Sequence, residues 1–581
     1  MSFTPHNFKS GDILYASQMN SIERAIMAND QVTPEDFGAY GDGVHDDAPA
    51  IKQALESGHP VSLTKNLFIF SPIVIRDHNV VLNGNGFTIR ADMNNIMTTP
   101  SGNDYDILTF IATGRTYVDD FVTPLRRVYD TKDVHINELI GRDTEGGADL
   151  TDVYKIGYLS YKGHKPLPKK WLDMMDDSRI VIDAYYPIQV IVRDLNLELN
   201  RCRGRYAIQL NNLCNSSLHN VNVVSVDGEG QQGIAVNVCY NMLIDHVHVE
   251  NIWAEYTWMQ PSVDPIYGRG NNGYALSASG DNIFIRNFTG WNTKSNLTVA
   301  GNRTIWTTNL IVDGMHVGYD VVREDVRRSI DGRYSTNRYE SAFNCHEDAI
   351  CPILANITVD MMNSQYRHAG LSIRCPEAII DNVAINAPEG SINSYGLNQM
   401  LHLNNVDAPN ITLDIGLSNP DSIYGRMSGS TFLANQVIAS NCHLFRVNNG
   451  ATWTTVKLDN CFIEQYVWNI QHLVMNNTTV HGYTPQEWPG MISVIILGEA
   501  QITGCQIYQN RSEYVSRTTP VIKAPNDEVH MVNTKIYKHN QCRIFKNGNT
   551  QTHLTEVWTE DVLGLIFDDW NNGYWDNFNW L

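Results

Sequence analysis

The chain has 581 residues, of which 43% are hydrophobic and 18% charged, and its formal net charge is −21. These values describe a folded protein with a weakly charged surface and exclude a disordered one. The acidic balance argues against nucleic acid as a partner, since phosphates would be repelled, and no run of about 18 apolar residues is present to cross a membrane as a helix.

The opening MSFTPHNFKSGD lacks the basic region and apolar core of a secretory signal, so synthesis in a cytoplasm and exit by another route are expected. Within residues 1–31, Ser17 can cap a helix that carries Met19, Ile22 and Ile26 on one face. Residues 32–55, VTPEDFGAYGDGVHDDAPAIKQAL, read as a strand, a glycine-rich turn and a capped helix. Gly38, Gly41 and Gly43 suit positive φ. Asp46 and Asp47 stand at the N-cap of a helix over 46–56 with Ala50, Ile51, Ala54 and Leu55 on its apolar face. Asp42, Asp46 and Asp47 are therefore read as structural rather than catalytic.

From about residue 60 one pattern recurs: an apolar residue, two polar or small residues, then another apolar residue. It appears at Leu218-His219-Asn220-Val221, Ile244-Asp245-His246-Val247, Ile285-Arg286-Asn287-Phe288, Val312-Asp313-Gly314-Met315 and Ile380-Asp381-Asn382-Val383. Later copies are Leu458-Asp459-Asn460-Cys461 and Ile502-Thr503-Gly504-Cys505. The spacing is 26 residues from His219 to Asp245, 27 from Arg286 to Asp313, and 21 from Asp360 to Asp381. Strand-and-turn units with periods in the twenties predict a solenoid, and alternation within each unit predicts short strands with one buried face. The fold class expected is all-β, a right-handed single-stranded parallel β-helix over 61–545, closed at its N-terminal end by the helix. The ten cysteines stand singly with no CxxC pair, which argues against a zinc ribbon and fits small buried residues stacked from coil to coil.

Three insertions break the period, at 141–178, 251–275 and 318–346, and long insertions in a solenoid tend to shape a binding face. The first contains the basic run KGHKPLPKKW, and residues 546–581 end in IFDDWNNGYWDNFNWL, an aromatic closing segment. Ligands of such a fold lie along an outer groove, where equivalent residues of adjacent coils are about 4.8 Å apart. The leading catalytic candidates are His346, Glu347, Asp348, Arg367 and His368, with Glu340 and Arg374 beside them as substrate contacts. His346 and His368 are 22 residues apart, close to one coil, so a histidine–carboxylate pair would meet an arginine, as acid–base chemistry on a phosphodiester or uronate requires. The alternative is a polar ladder that ties loops to the body.

A second group is Asp245, His246, His248 and Glu250. The last three share a strand face and offer a metal arrangement, against the simpler reading of solvated side chains. Glu250, with Trp253, Glu255 and Trp258 of the following insertion, can contact a glycan, since aromatic faces stack on sugar C–H faces. Arg323, Arg327, Arg328, Arg333 and Arg338 form a third group, suited to phosphate or carboxylate but interspersed with Glu324 and Asp325; Arg333 and Arg338 are retained as substrate contacts. No cofactor is required on this reading, and a divalent cation is possible. GxSxG, HExxH and P-loop motifs are absent.

The stretch DFGAYGDGVHDD resembles the opening motif of pectate-lyase-like parallel β-helix proteins, which include many phage tailspikes. FKSGDILYASQMNSIERAI resembles N-terminal segments of tail and baseplate proteins from phages of Gram-positive bacteria, and LIDH is similar to a short piece of the pectate lyase pattern. The polygalacturonase series NTD…DD…GHG is missing. The resemblance implies a homotrimeric tailspike or appendage, attached through its N-terminus to other virion tail or baseplate proteins. It would be made in the host cytoplasm and act at the host surface on a glycopolymer: teichoic acid, capsule or exopolysaccharide. Three activities stay open: a depolymerase (hydrolase or lyase), a non-enzymatic receptor-binding spike, and a bacterial polysaccharide lyase.

Overall fold

The structure, a computed structural model, describes most of residues 31–561. The longest stretches outside the described residues are 120–134, 157–178, 253–272, 416–435 and 539–551, together with 1–30 and 562–581. The helix expected after Ser17 and the last 20 residues of the aromatic closing segment thus lie outside them, whereas Thr552–Asp561, expected in that segment, is a further strand paired in parallel with Val529–Lys538, so the coils extend past 545. The chain divides into two compact units, Met1–Pro352 and Ile353–Leu581.

Each unit is built of parallel coils, as the repeat predicts. In the first, Val192, Leu218, Ile244, Ile285 and Val312 stand in register on five successive coils, all fully buried. In the second, Leu354, Ile380, Leu403, Ala439, Leu458, Met475, Ile502 and Met531 form the same kind of stack. One apolar side chain per coil at about 4.8 Å spacing makes a continuous dry core, which is why a β-helix tolerates coils of different length. One expected alignment was wrong: Asp381 pairs with Ala355 rather than Asp360, so that coil is 26 residues long, not 21. Asp360, at the end of its strand, and Asp381, in the middle of the next, had imitated a repeat.

The second residue after each stacked position turns the chain. Asp194, Asn220, His246, Asn287 and Gly314 carry φ of 53°, 51°, 52°, 53° and 81°; Asn356, Asn382, Asn405, Asn441 and Asn460 carry 52–56°. Asparagine reaches this left-handed region more readily than other side chains, and its amide can bond to the coil before it. Asn382 Nδ2 donates to Asn356 Oδ1 at 2.6 Å, and Asn460 to Asn441 at 2.7 Å. The asparagine of the repeat is therefore a corner residue. The eight described cysteines are buried thiols. Cys239, Cys461 and Cys505 each donate Sγ–H to a carbonyl of the preceding coil, at 3.5, 3.2 and 3.5 Å.

The opening motif differs from expectation in two details. Val32 makes a single parallel bridge to Val61 and is followed by a 3-10 turn over Pro34–Phe37, not by a strand. The helix runs Ala48–Glu56, and its preceding residue Asp47 makes no side-chain cap. Instead Asp47 accepts backbone N–H groups from Tyr40 (2.7 Å), Gly41 (3.1 Å) and Phe68 (2.9 Å), bolting the glycine turn to the first coil. Asp46 takes the N–H of Ala48 at 3.1 Å and that of Phe70 at 2.9 Å. The helix buries Ile51, Ala54 and Leu55 against the strands Ile73–Arg76 and Val80–Asn83.

The first insertion is more than a loop. Strands Gly114–Asp119, His135–Arg142, Tyr154–Ile156 and Arg179–Tyr185 form an antiparallel sheet of their own, so the interruption spans 114–185 rather than 141–178. Within 318–346, Val326–Arg328 pairs antiparallel with Tyr334–Thr336.

Candidate functional site

Most of the residues expected to carry chemistry lie outside the described residues: His346, Glu347, Asp348, Arg367, Glu340, Arg374, Trp253, Glu255, Trp258, Arg333 and Arg338. His368 opens the strand His368–Ile373, but its side chain is outside them too. The arrangement sought there, histidine and carboxylate beside arginine, occurs elsewhere, in the first unit.

Its centre is Asp245. Parallel register places His219 one coil before it and Arg286 one coil after it. These three are the same position of the repeat, the residue that precedes the corner. His246, the next residue in the chain, occupies the corner itself. The Asp245 side chain is only 3% exposed, whereas those of His219, His246 and Arg286 are 51%, 58% and 44% exposed. A buried carboxylate thus anchors three exposed cationic or basic groups.

Every contact converges on that carboxylate. Arg286 grips it in a fork, Nε to Oδ1 at 2.9 Å and Nη2 to Oδ2 at 2.6 Å. His219 Nδ1 donates to Oδ2 at 3.1 Å and His246 Nδ1 to Oδ1 at 2.8 Å. A carboxylate only accepts, so each Nδ1 carries its hydrogen toward Asp245 and each Nε2 points away. Asn287, the corner residue of the next coil, brings Nδ2 to 3.4 Å from Asp245 Oδ1 and 3.5 Å from His246 Nε2. The Arg286 hydrogen bonds hold the Asp245 carboxyl well below the usual carboxylate range, against the opposing effect of burial, and the same pair raises Arg286. The imidazole rings are 5.7 Å apart, edge to face.

The metal arrangement expected from His246, His248 and Glu250 does not form. The corner at His246 turns its ring onto Asp245, while His248 Nε2 pairs with Glu250 at 3.3 Å. The donor atoms that do converge are those of His219, Asp245 and His246, within 4.8 Å of one another. A divalent ion there would face the guanidinium that already occupies both carboxylate oxygens, and this disfavours it. The donor set fits proton transfer better than metal binding.

Past the corner, the outward face continues with His248 and Glu250, Thr289 and Trp291, and His316, in register on three coils. Trp291 meets His316 edge to face at 5.4 Å. Sequence reasoning named Asp245 and His246 but missed His219, Arg286 and Trp291. The signal was present, since His219, Asp245 and Arg286 fill one position of the repeat. The 41 residues between Asp245 and Arg286, lengthened by an insertion, hid the last of them.

No family model and no curated protein sequence matches the chain. Among solved structures it is similar to the gp61 tailspike of Pseudomonas phage phi297, with 13% identity, a TM-score of 0.36, and 91% of this chain and 80% of that one covered. It is also similar to the gp54 tailspike of Acinetobacter baumannii bacteriophage AP22, solved with a capsular saccharide (11%, 0.38, 94% and 83%). A third is the catalytic unit of an α-1,3-glucanase from Streptomyces thermodiastaticus (9%, 0.33, 91% and 69%).

Proposed function

We propose that the chain is the body of a phage tailspike or appendage, which binds a host-surface glycopolymer and cleaves it by acid–base chemistry at His219 and His246. The observation that carries the reading is the sharing of one buried carboxylate by two exposed imidazoles, with an arginine on the same carboxylate. Asp245 fixes both rings with Nδ1 inward. One Nε2 can then take a proton from water while the other, protonated, gives one to the oxygen that leaves the broken linkage. The water oxygen bonds to the reacting centre, the linkage oxygen departs with the donated proton, and the two imidazoles exchange protonation states. The outer face of a β-helix suits an extended polymer, and the opening motif and N-terminal segment support the virion assignment.

A second reading, a spike that holds polymer uncut, is favoured by the saturation of Asp245, since four groups contact its two oxygens as in a static ion cluster. One assay separates them: purified protein is incubated with host-surface polymer and chain length is followed. The first reading expects shortening, lowered roughly 100-fold or more by His219→Asn or His246→Asn. Unchanged cleavage in both variants overturns the assignment, and binding without shortening by the parent protein favours the spike.

A further inference from the structure

The second unit carries a strip of half-buried side chains that the site at Asp245 does not use; those of His443 and His481 are 22% and 14% exposed. On five successive coils the rings of His443, Phe462, His481, Tyr508 and Tyr537 follow one another. Centroid distances are 5.2 Å from His443 to Phe462, 5.6 Å to His481, 5.4 Å to Tyr508 and 4.1 Å to Tyr537, the last pair parallel within 3°. Four coil steps make the strip about 19 Å long. Polar groups are threaded through it. Glu464 Oε1 accepts from His443 Nε2 at 2.8 Å, and its Oε2 lies 3.7 Å from His481 Nδ1. Asp407 lies 3.3 Å from His443 Nδ1.

The geometry points to a saccharide-binding strip, separate from the acid–base site, that takes an uncharged hexose polymer. Three observations combine. A ladder of rings offers apolar surface in steps of one coil, and sugar rings present apolar C–H faces to such surfaces. Asp407, 73% exposed and held in place by His443, supplies a hydroxyl acceptor, while Glu464, 13% exposed, fixes the His443 and His481 rings, the pattern of a mainly apolar site with a few oriented polar groups. The charges are answered inside the strip: His443 lies between two carboxylates and Lys535 pairs with Glu560. Arg446 is turned onto Thr412 Oγ1 at 2.8 Å and Tyr466 Oη at 3.0 Å. Among the described residues of the strip, Asp407 and Glu464 outnumber the one imidazolium held between them, which disfavours an anionic polymer, and a chain of net charge −21 repels one.

The inference rests on the reading of the chain as a glycopolymer binder, but not on cleavage. The test uses the full chain on an array of bacterial surface polysaccharides, neutral and anionic, at about 50 and about 500 mM salt. The expected result is binding to neutral hexose polymers that changes less than twofold with salt. Phe462→Ala with Tyr508→Ala should weaken it tenfold or more. Tyr508→Phe, which keeps the ring, should retain it, and Glu464→Gln, which keeps the volume, should weaken it. Cleavage of the same polymers by the parent protein is followed in parallel, so a lack of cleavage, which fails the acid–base proposal, is distinguishable from a lack of binding, which fails this one. Binding only to anionic polymers, binding to none, or full binding by a folded Phe462→Ala/Tyr508→Ala variant overturns the inference.

Discussion

At the scale of the residue, Asp245 and His443 are opposite cases of one linkage. Asp245 has a folded pKa below that of an unfolded aspartate, about 3.9, because Arg286 binds its ionised form. Its contribution is therefore present above about pH 4 and is lost as pH falls through the lower folded value. Asp245→Asn should reduce unfolding free energy at neutral pH by about 2 kcal/mol, the order expected for hydrogen bonds to a charged group, and should flatten the acid limb in urea titrations. For His443, burial pulls the pKa down, yet Asp407 and Glu464 outweigh it and hold the imidazole up to about 9. Glu464 is itself brought down by His443 and His481 despite its burial. The His443 contribution is complete below about pH 6.5 and is lost as pH rises toward 9. Thermal unfolding of the protein should show a fall in stability over that window which His443→Gln abolishes.

At the scale of the element, the corner column is where local propensity and the proposed chemistry diverge. Asparagine fills most corners because it tolerates φ near 50° and bonds to its neighbour, whereas His246 occupies the same conformation at φ 52°. His246→Asn should keep or slightly raise the melting temperature while lowering cleavage roughly 100-fold or more. His246→Val, β-branched in a left-handed position, should lower stability by about 1–3 kcal/mol. The glycine turn makes a sharper demand. Gly41 has φ 64°, and a Cβ there would lie 2.7 Å from the carbonyl oxygen of Asn66. Gly41→Ala should cost about 2 kcal/mol or more, read as a lower urea midpoint, since both backbone strain and a backbone clash oppose it.

At the scale of the whole molecule, net charge sets encounter. With a formal charge of −21, association with an anionic surface polymer should become faster as salt rises, the reverse of steered attraction, and stopped-flow binding at several ionic strengths checks this. The β-helix itself was legible in the sequence. The repeat Leu218–Val221, Ile244–Val247, Ile285–Phe288 marks buried and corner positions because each coil meets the same local demand, an inward apolar residue and a left-handed turn. A structural role for Asp42, Asp46 and Asp47 was legible from the glycine turn and helix start beside them, but their partners were not: Asp42 accepts from the N–H groups of Val44 and His45, and Asp47 bonds to the first coil instead of capping the helix. Which side chains act together was decided by tertiary structure. His219, Asp245 and Arg286 are separated by 26 and 41 residues, and they meet because coil register is set by the stacked core, whatever length of chain lies between. The ring strip from His443 to Tyr537 was invisible for that reason too, since coils of unequal length scatter its members along the chain and only parallel pairing aligns them.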